Sequence, residues 1–202
     1  MKNKIKTLIF RTTLVTLAIY GSYAFAYSAG PLSGFGPWVT ATDIMAMLIG
    51  LLAPIAAIVG LIMTIIPRFR TTGVNILLPA ATCALLFLPA MHLAQEMRLL
   101  GFYMISKRME PAIVAIAKYQ KDKDVAPASL EALVPDYLPE VPSRIPPFEI
   151  TIDSPDRWTI WADVSTGLLT SDTFLYRSDR NYNDLEGMVK RVGKSSWVYM
   201  RR

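Results

Sequence analysis

His92 is the only histidine of the chain, and Glu96 follows it by four residues. On a helix that spacing puts an imidazole and a carboxylate on one face, one turn apart, a pair able to ligate a metal or relay a proton. Two ligands do not complete a metal site. With one histidine and one cysteine in 202 residues, neither a multi-histidine centre nor a cysteine-based zinc site can be assembled. The pair therefore reads as a structural contact. Asp43 directly precedes a long apolar run; an acid inside such a run often moves ions or protons, but at its edge Asp43 reads as a helix cap. Cys83 lies deep in a second apolar run, where a thiol behaves as a small hydrophobe and its thiolate is disfavoured. Glu149 and Asp153 are paired carboxylates that no pattern places in a cleft. Trp158, Trp161 and Trp197 offer rigid apolar faces for a ligand. Most such residues fill a core, and Trp161, out of phase with Trp158 and Ile160, is the better platform. An enzyme needs a nucleophile, a base and a stabilising group, or a metal. There is no Gly-x-Ser-x-Gly, His-Glu-x-x-His, P-loop or dinucleotide fingerprint. The expectation is a non-catalytic chain with no catalytic, cofactor or metal residues to assign.

The elements that carry these residues are set by hydrophobicity. Hydrophobic residues make up 52% of the chain and charged ones 18%, against about 25% charged in soluble domains. With a mean hydropathy of +0.34, the composition excludes a disordered chain and points to a membrane protein. The formal charge of +5 lies wholly in residues 1–95, where Lys2, Lys4, Lys6, Arg11, Arg68 and Arg70 face Asp43 alone; residues 96–202 are balanced. A nucleic-acid binder would concentrate basic charge on its folded surface. Here the excess flanks the apolar runs, as charge that holds loops on the cytoplasmic side does.

Ile44–Ile66 contains no ionisable side chain and is long enough to cross a hydrocarbon core of about 30 Å. Val74–Leu93 is of similar length, and the short Pro67–Gly73 link makes the two a helical hairpin over residues 44–93. Residues 1–27 fit either a cleaved signal peptide, with Ala24-Phe-Ala26 as the small-x-small site, or a retained first span anchored by Tyr20, Tyr23 and Tyr27. Residues 28–43, rich in Gly and Pro, read as an external loop. Arg98, Lys107 and Arg108 oppose an external carboxy-terminal half, but six basic residues on the other side outweigh them. Ala46, Gly50, Ala56 and Gly60 form a stripe of small residues along which helices can approach closely, within the chain or between copies. Pro54 bends that helix. Such kinks occur in carriers, yet the surrounding positions are Leu, Ile, Ala and Val.

Beyond the last run the helical period continues through Leu93, Met97, Leu100 and Met104. Glu110-Pro111 then reads as a break, with Pro111 opening a second helix whose stripe is Ile113, Ile116 and Ala117. Pro127 and Ala128 start a short helix with Leu130, Leu133 and Val134 on one face; Pro135 ends it, and Tyr137, Leu138 and Val141 extend over the core. A spine helix ending in Tyr119, then Pro127, Leu130, Leu133, Pro135, Tyr137, Leu138 and Pro142, resembles the head of type II secretion pseudopilins and related pilin-like envelope proteins. About 30 residues, ~112–142, carry the resemblance. That family carries its head on one amino-terminal span, so three apolar segments make an atypical multi-span anchor. The resemblance implies a spine helix packed on an antiparallel sheet. It also draws attention to Asp172, Asp179 and Asp184, because some pseudopilins bind calcium after the sheet; without a ligand register these read as solvated loop acids.

The rest is strand-like. Phe148, Ile150 and Ile152 alternate, as do Trp158, Ile160 and Ala162. Ser154–Arg157 and the Ser-Thr-Gly after Val164 are turns, Thr173–Arg177 and Trp197–Met200 are two more strands, and 178–195 is mostly loop. The expected architecture is thus an α-helical membrane anchor followed by an α+β head over residues 94–202, a spine helix on about four strands. The expected role is a multi-pass, bacterial-type inner-membrane protein displaying that head in the periplasm for protein–protein contact or envelope and secretion-related assembly. Its partners would be the bilayer and other envelope or membrane proteins, not nucleic acid, with self-association through the small-residue stripe. A small carrier or ion-handling protein acting through its spans is the alternative.

Overall fold

A computed structural model describes residues 2–29, 36–154, 157–165, 171–185 and 188–201. Three long helices open the chain: α1 (Lys2–Ala29), α2 (Gly36–Ile65) and α3 (Arg70–Lys123), with a 3-10 turn at Pro67–Phe69 joining the last two. Five strands follow: β1 (Glu149–Ser154), β2 (Arg157–Ser165), β3 (Ser171–Arg177), β4 (Val189–Arg191) and β5 (Val198–Arg201). They form one antiparallel sheet in the order β1-β2-β3-β5-β4. The architecture is α+β, long helices with a small antiparallel sheet packed on the last of them. The segments Ile44–Ile65 and Pro67–Lys123 contain helix long and apolar enough to cross a membrane. Their outward faces are hydrocarbon, with Leu51, Leu85 and Leu88 all more than 60% exposed.

α3 differs from the sequence expectation in being continuous. Its 54 residues extend about 80 Å at 1.5 Å per residue, and Pro79, Pro89 and Pro111 all lie inside it. An interior proline removes one backbone hydrogen bond and crowds the preceding turn. At Pro111 burial on both sides offsets that cost: Met109, Ala112, Ala115 and Ile116 are packed against the sheet. The stripe also has a different phase. The buried positions are Ala94, Arg98, Phe102, Ile105, Met109, Ala112 and Ile116, while Leu93, Leu100 and Met104 are 44–53% exposed and Ala117 faces solvent. The period was legible; the phase was set by residues that composition ranks low, an arginine and two alanines.

Alternation in β2 and β3 sends Trp158, Ile160, Ala162 and Val164, and Asp172, Phe174 and Tyr176, toward α3. An aromatic row runs beneath the helix: Tyr199 stacks on Phe102 at 5.4 Å, Phe102 on Phe174 at 4.9 Å and Phe174 on Trp197 at 4.6 Å. The segment after α3 closes the open end. Its expected short helix is only a 3-10 turn at Glu131–Leu133, with Leu130, Leu133 and Leu138 buried and Val134 exposed. The fifth strand, β4, lies in the stretch read as loop. Three residues, two of them charged, carry no alternation to detect, and pairing to β5 defines the strand instead. Residues 155–156 and 166–167 of the two expected turns lie outside the described residues.

The first half also shifts its boundaries. α1 runs to Ala29 and α2 starts at Gly36, so the expected external loop of residues 28–43 is mostly helix. Asp43 falls seven residues inside α2 rather than at its start, where the cap was expected.

Helix phase is open to direct test. Phe102→Ala is expected to cost about 3–5 kcal/mol, the range for emptying a buried aromatic site, and Leu100→Ala to stay within about 0.5 kcal/mol. Denaturant unfolding of the detergent-solubilised chain, followed by tryptophan fluorescence, measures both; equal effects would contradict the phase described.

Candidate functional site

The feature that ties the apolar bundle to the head is the first part of α3 in contact with the sheet. Arg98 occupies a core-facing position of the helix, four residues after Ala94 and four before Phe102. Asp172 occupies a core-facing position of β3, in step with Phe174 and Tyr176. The two side chains meet as an ion pair, 9% and 0% exposed. The Arg98 guanidinium also lies 5.6 Å from the Phe102 ring centre and 6.0 Å from that of Tyr199, near enough for cation–π attraction. A buried ion pair gains little over hydrocarbon of the same shape, but separating its members leaves a charge stranded out of water. It therefore fixes where along α3 the sheet docks.

The tryptophans divide as their alternation implied. Trp158 and Trp197 are buried; the Trp158 indole donates to Gln120 Oε1 at 2.9 Å. Trp161 is on the outer face, half-buried, donating to Thr151 Oγ1 at 3.0 Å and packing with Leu175, Tyr182 and Val198 in a second small cluster. Tyr182 anchors that cluster: its hydroxyl donates to the Ser196 carbonyl at 2.6 Å and accepts from the Arg177 N–H at 3.1 Å. Burial pushes the Tyr182 phenol above its usual value. Trp161 is thus partly buried against this cluster.

The three aspartates considered for calcium are not convergent. Asp172 is in the core, Asp179 is 3.9 Å from Arg157, and Asp184 accepts two hydrogen bonds from Arg177. Hydrogen bonding to Arg177 holds the Asp184 carboxyl below its ordinary value and raises the guanidinium above its own. Among the described residues no group of three potential ligands comes together. Asp153 accepts from Thr159 at 2.6 Å and lies 3.5 Å from Arg157, while Glu149 is exposed at the other end of β1. His92 and Glu96 are both exposed on α3, and no hydrogen bond or ion pair joins them.

In the helical half, the small-residue stripe is engaged within the chain. A methyl group added at Gly60 would meet the Leu77 backbone at 2.6 Å, and one at Gly50 would meet the Phe87 ring at 2.9 Å. Ala46 is buried and Ala56 half-buried. Gly73, in α3, approaches the α2 backbone equally closely, a second glycine of that crossing that the one-helix stripe did not include. α1 joins the bundle through buried Thr16, whose hydroxyl is 3.6 Å from Cys83 Sγ, and Tyr20, whose hydroxyl donates to the Cys83 carbonyl at 3.0 Å. Between α2 and α3 an open cleft of about 480 Å³ is lined by Leu48, Leu52, Ala53, Asn75, Pro79 and Cys83, among others.

No family model, curated protein or solved structure matches the chain. The arrangement of its own residues therefore carries the functional reading.

Asp172→Ala is expected to cost about 3–5 kcal/mol by stranding Arg98, whereas the double change Arg98→Met with Asp172→Leu should recover most of that loss. Denaturant unfolding of the three proteins decides it. A second expectation concerns pH. Because the Asp184 carboxyl titrates below the 3.8 of a free aspartate, its contribution is complete above that value and is lost as pH falls through the lowered one. Amide exchange at Asn183–Leu185, corrected for intrinsic rate, should accelerate on acidification in the native chain and be insensitive to it in Asp184→Asn.

Proposed function

We propose that the chain is a membrane-anchored, non-catalytic protein whose three helices hold an α+β head beyond the bilayer for contact with other proteins. The observation that carries this reading is the continuity of α3. One helix has an apolar, outward-facing first part and a second part that is the spine of the head. With residues 70–93 crossing a hydrocarbon core of about 30 Å, the spine rises from the surface without a flexible joint. Basic residues at the amino terminus and at Arg68 and Arg70 put those ends in the cytoplasm and the head outside. The contacts of Thr16 and Tyr20 with Cys83 favour α1 as a retained third span over a removed signal peptide, since cleavage would strip a buried seam from the bundle. A pilin-like head in a bacterial inner membrane, facing the periplasm, is the specific form this reading takes.

The head has the attributes of an interaction module: near-neutral overall, tightly packed, and presented on a stiff stalk. A carrier would want polar groups along its cleft, and among the described residues Asn75 and Cys83 are the only non-hydrocarbon side chains lining the one between α2 and α3.

A phosphatase fused after residue 202 is expected to be active, and a fluorescent protein that matures only in the cytoplasm to be dark at the same position. The purified chain should retain Met1 or Lys2 as its first residue. A silent phosphatase with a bright fluorescent fusion would reverse the topology, and a chain beginning near Tyr27 would remove the first span.

A further inference from the structure

We propose that the groove between α3 and the Tyr176–Trp197 end of the sheet binds an extended segment of a partner protein that carries carboxylates beside apolar side chains. This rests on the reading of the head as an interaction module and names its surface. The groove holds about 470 Å³, with Lys107, Glu110 and Val114 on the helix wall and Arg180, Lys194 and Trp197 opposite. Charge marks it out. Three arginines of the head are held by acids elsewhere, Arg98 by Asp172, Arg157 by Asp153 and Arg177 by Asp184. Among the described residues Arg180 and Lys194 pair with no acid, and both rim this groove. Lys107 shares Glu110 at 2.8 Å, which leaves three cations against one anion on a head whose overall charge is balanced.

The rims are built turns. Arg180 adopts a left-handed conformation, φ 55°, with its N–H donating to the Arg177 carbonyl at 3.1 Å. Gly193, φ 57°, reverses the chain just before Lys194, inside a loop closed by Val192 N–H to Trp197 O at 3.1 Å. A non-glycine residue held at positive φ is disfavoured unless its surroundings impose it. The helix wall adds apolar surface, with Val114 69% and Tyr103 41% exposed, so a ligand offering charge alone would leave half the groove unmatched. A lipid headgroup is out of reach. Lys107 lies fourteen residues past Leu93, about 21 Å of helix, against a headgroup layer of about 5–8 Å. Recognition of an acidic motif by unpaired cations over an apolar floor fits what remains.

The test uses the full chain in detergent micelles and a random octapeptide library. Selected peptides are expected to be enriched in Asp or Glu next to Leu or Phe. Arg180→Glu with Lys194→Glu should weaken the selected pool at least tenfold, and Val114→Asp should also weaken it. Lys190→Glu with Arg191→Glu, the same charge change on β4 outside the groove, should leave binding within twofold. Enrichment of basic or charge-indifferent peptides, equal loss in the β4 control, or equal displacement by a short oligothymidylate would overturn the proposal. Because binding is read in micelles, its failure is separable from a failure of the topology, which the reporter fusions decide.

Discussion

A stiff helix that leaves an apolar bundle and continues as the backbone of a folded head must solve one problem: the sheet can slide along it. Hydrophobic contacts alone tolerate such sliding, because they are nearly non-directional. In this chain the Arg98–Asp172 pair removes the ambiguity. Each member sits at a core-facing position of its own element and is acceptable there only when the other is opposite. Moving the sheet by one helical turn would bury both charges without a partner, a penalty of the order of emptying a buried aromatic site. The aromatic row from Tyr199 to Trp197 then follows from that register, since Phe102 comes one turn after Arg98 and Phe174 two residues after Asp172.

The same pair explains what was and was not legible in the sequence. The two long apolar helices, the α+β character of the second half and the strands carrying Trp158 and Phe174 all follow from runs and alternations that bury hydrocarbon. Phase on α3 does not, because the stripe passes through Arg98 and several alanines while leucines and a methionine lie outside. A signal was present: Asp172 keeps step with Phe174 and Tyr176, and an acid in phase with apolar alternation calls for a buried cation. Likewise Pro111 reads as a break locally, and only tertiary burial on both sides of it keeps the helix whole. β4 has no intrinsic signature at all; it exists because β5 offers an edge.

Aspartates illustrate how misleading composition is for sites. Asp172, Asp179 and Asp184 lie within thirteen residues of chain and share nothing in space except a preference for arginine. One locks the core, one sits loosely across from Arg157, and one holds the loop beneath which Tyr182 is buried. Trp161, exposed by parity, is half-buried against the cluster around Tyr182.

The cations that rim the groove beside Val114 are informative. An unpaired surface cation costs nothing in water but gains little for stability either, so its position is not dictated by folding. Arg180 is held by a left-handed turn and Lys194 by a glycine turn, and both turns bring their charges to the rim of one groove beside exposed Val114. Folding alone would be served equally well by neutral residues there. A surface that is shaped by the fold yet not required by it leaves room for recognition, and here that surface is basic, partly apolar and well clear of the apolar end of α3.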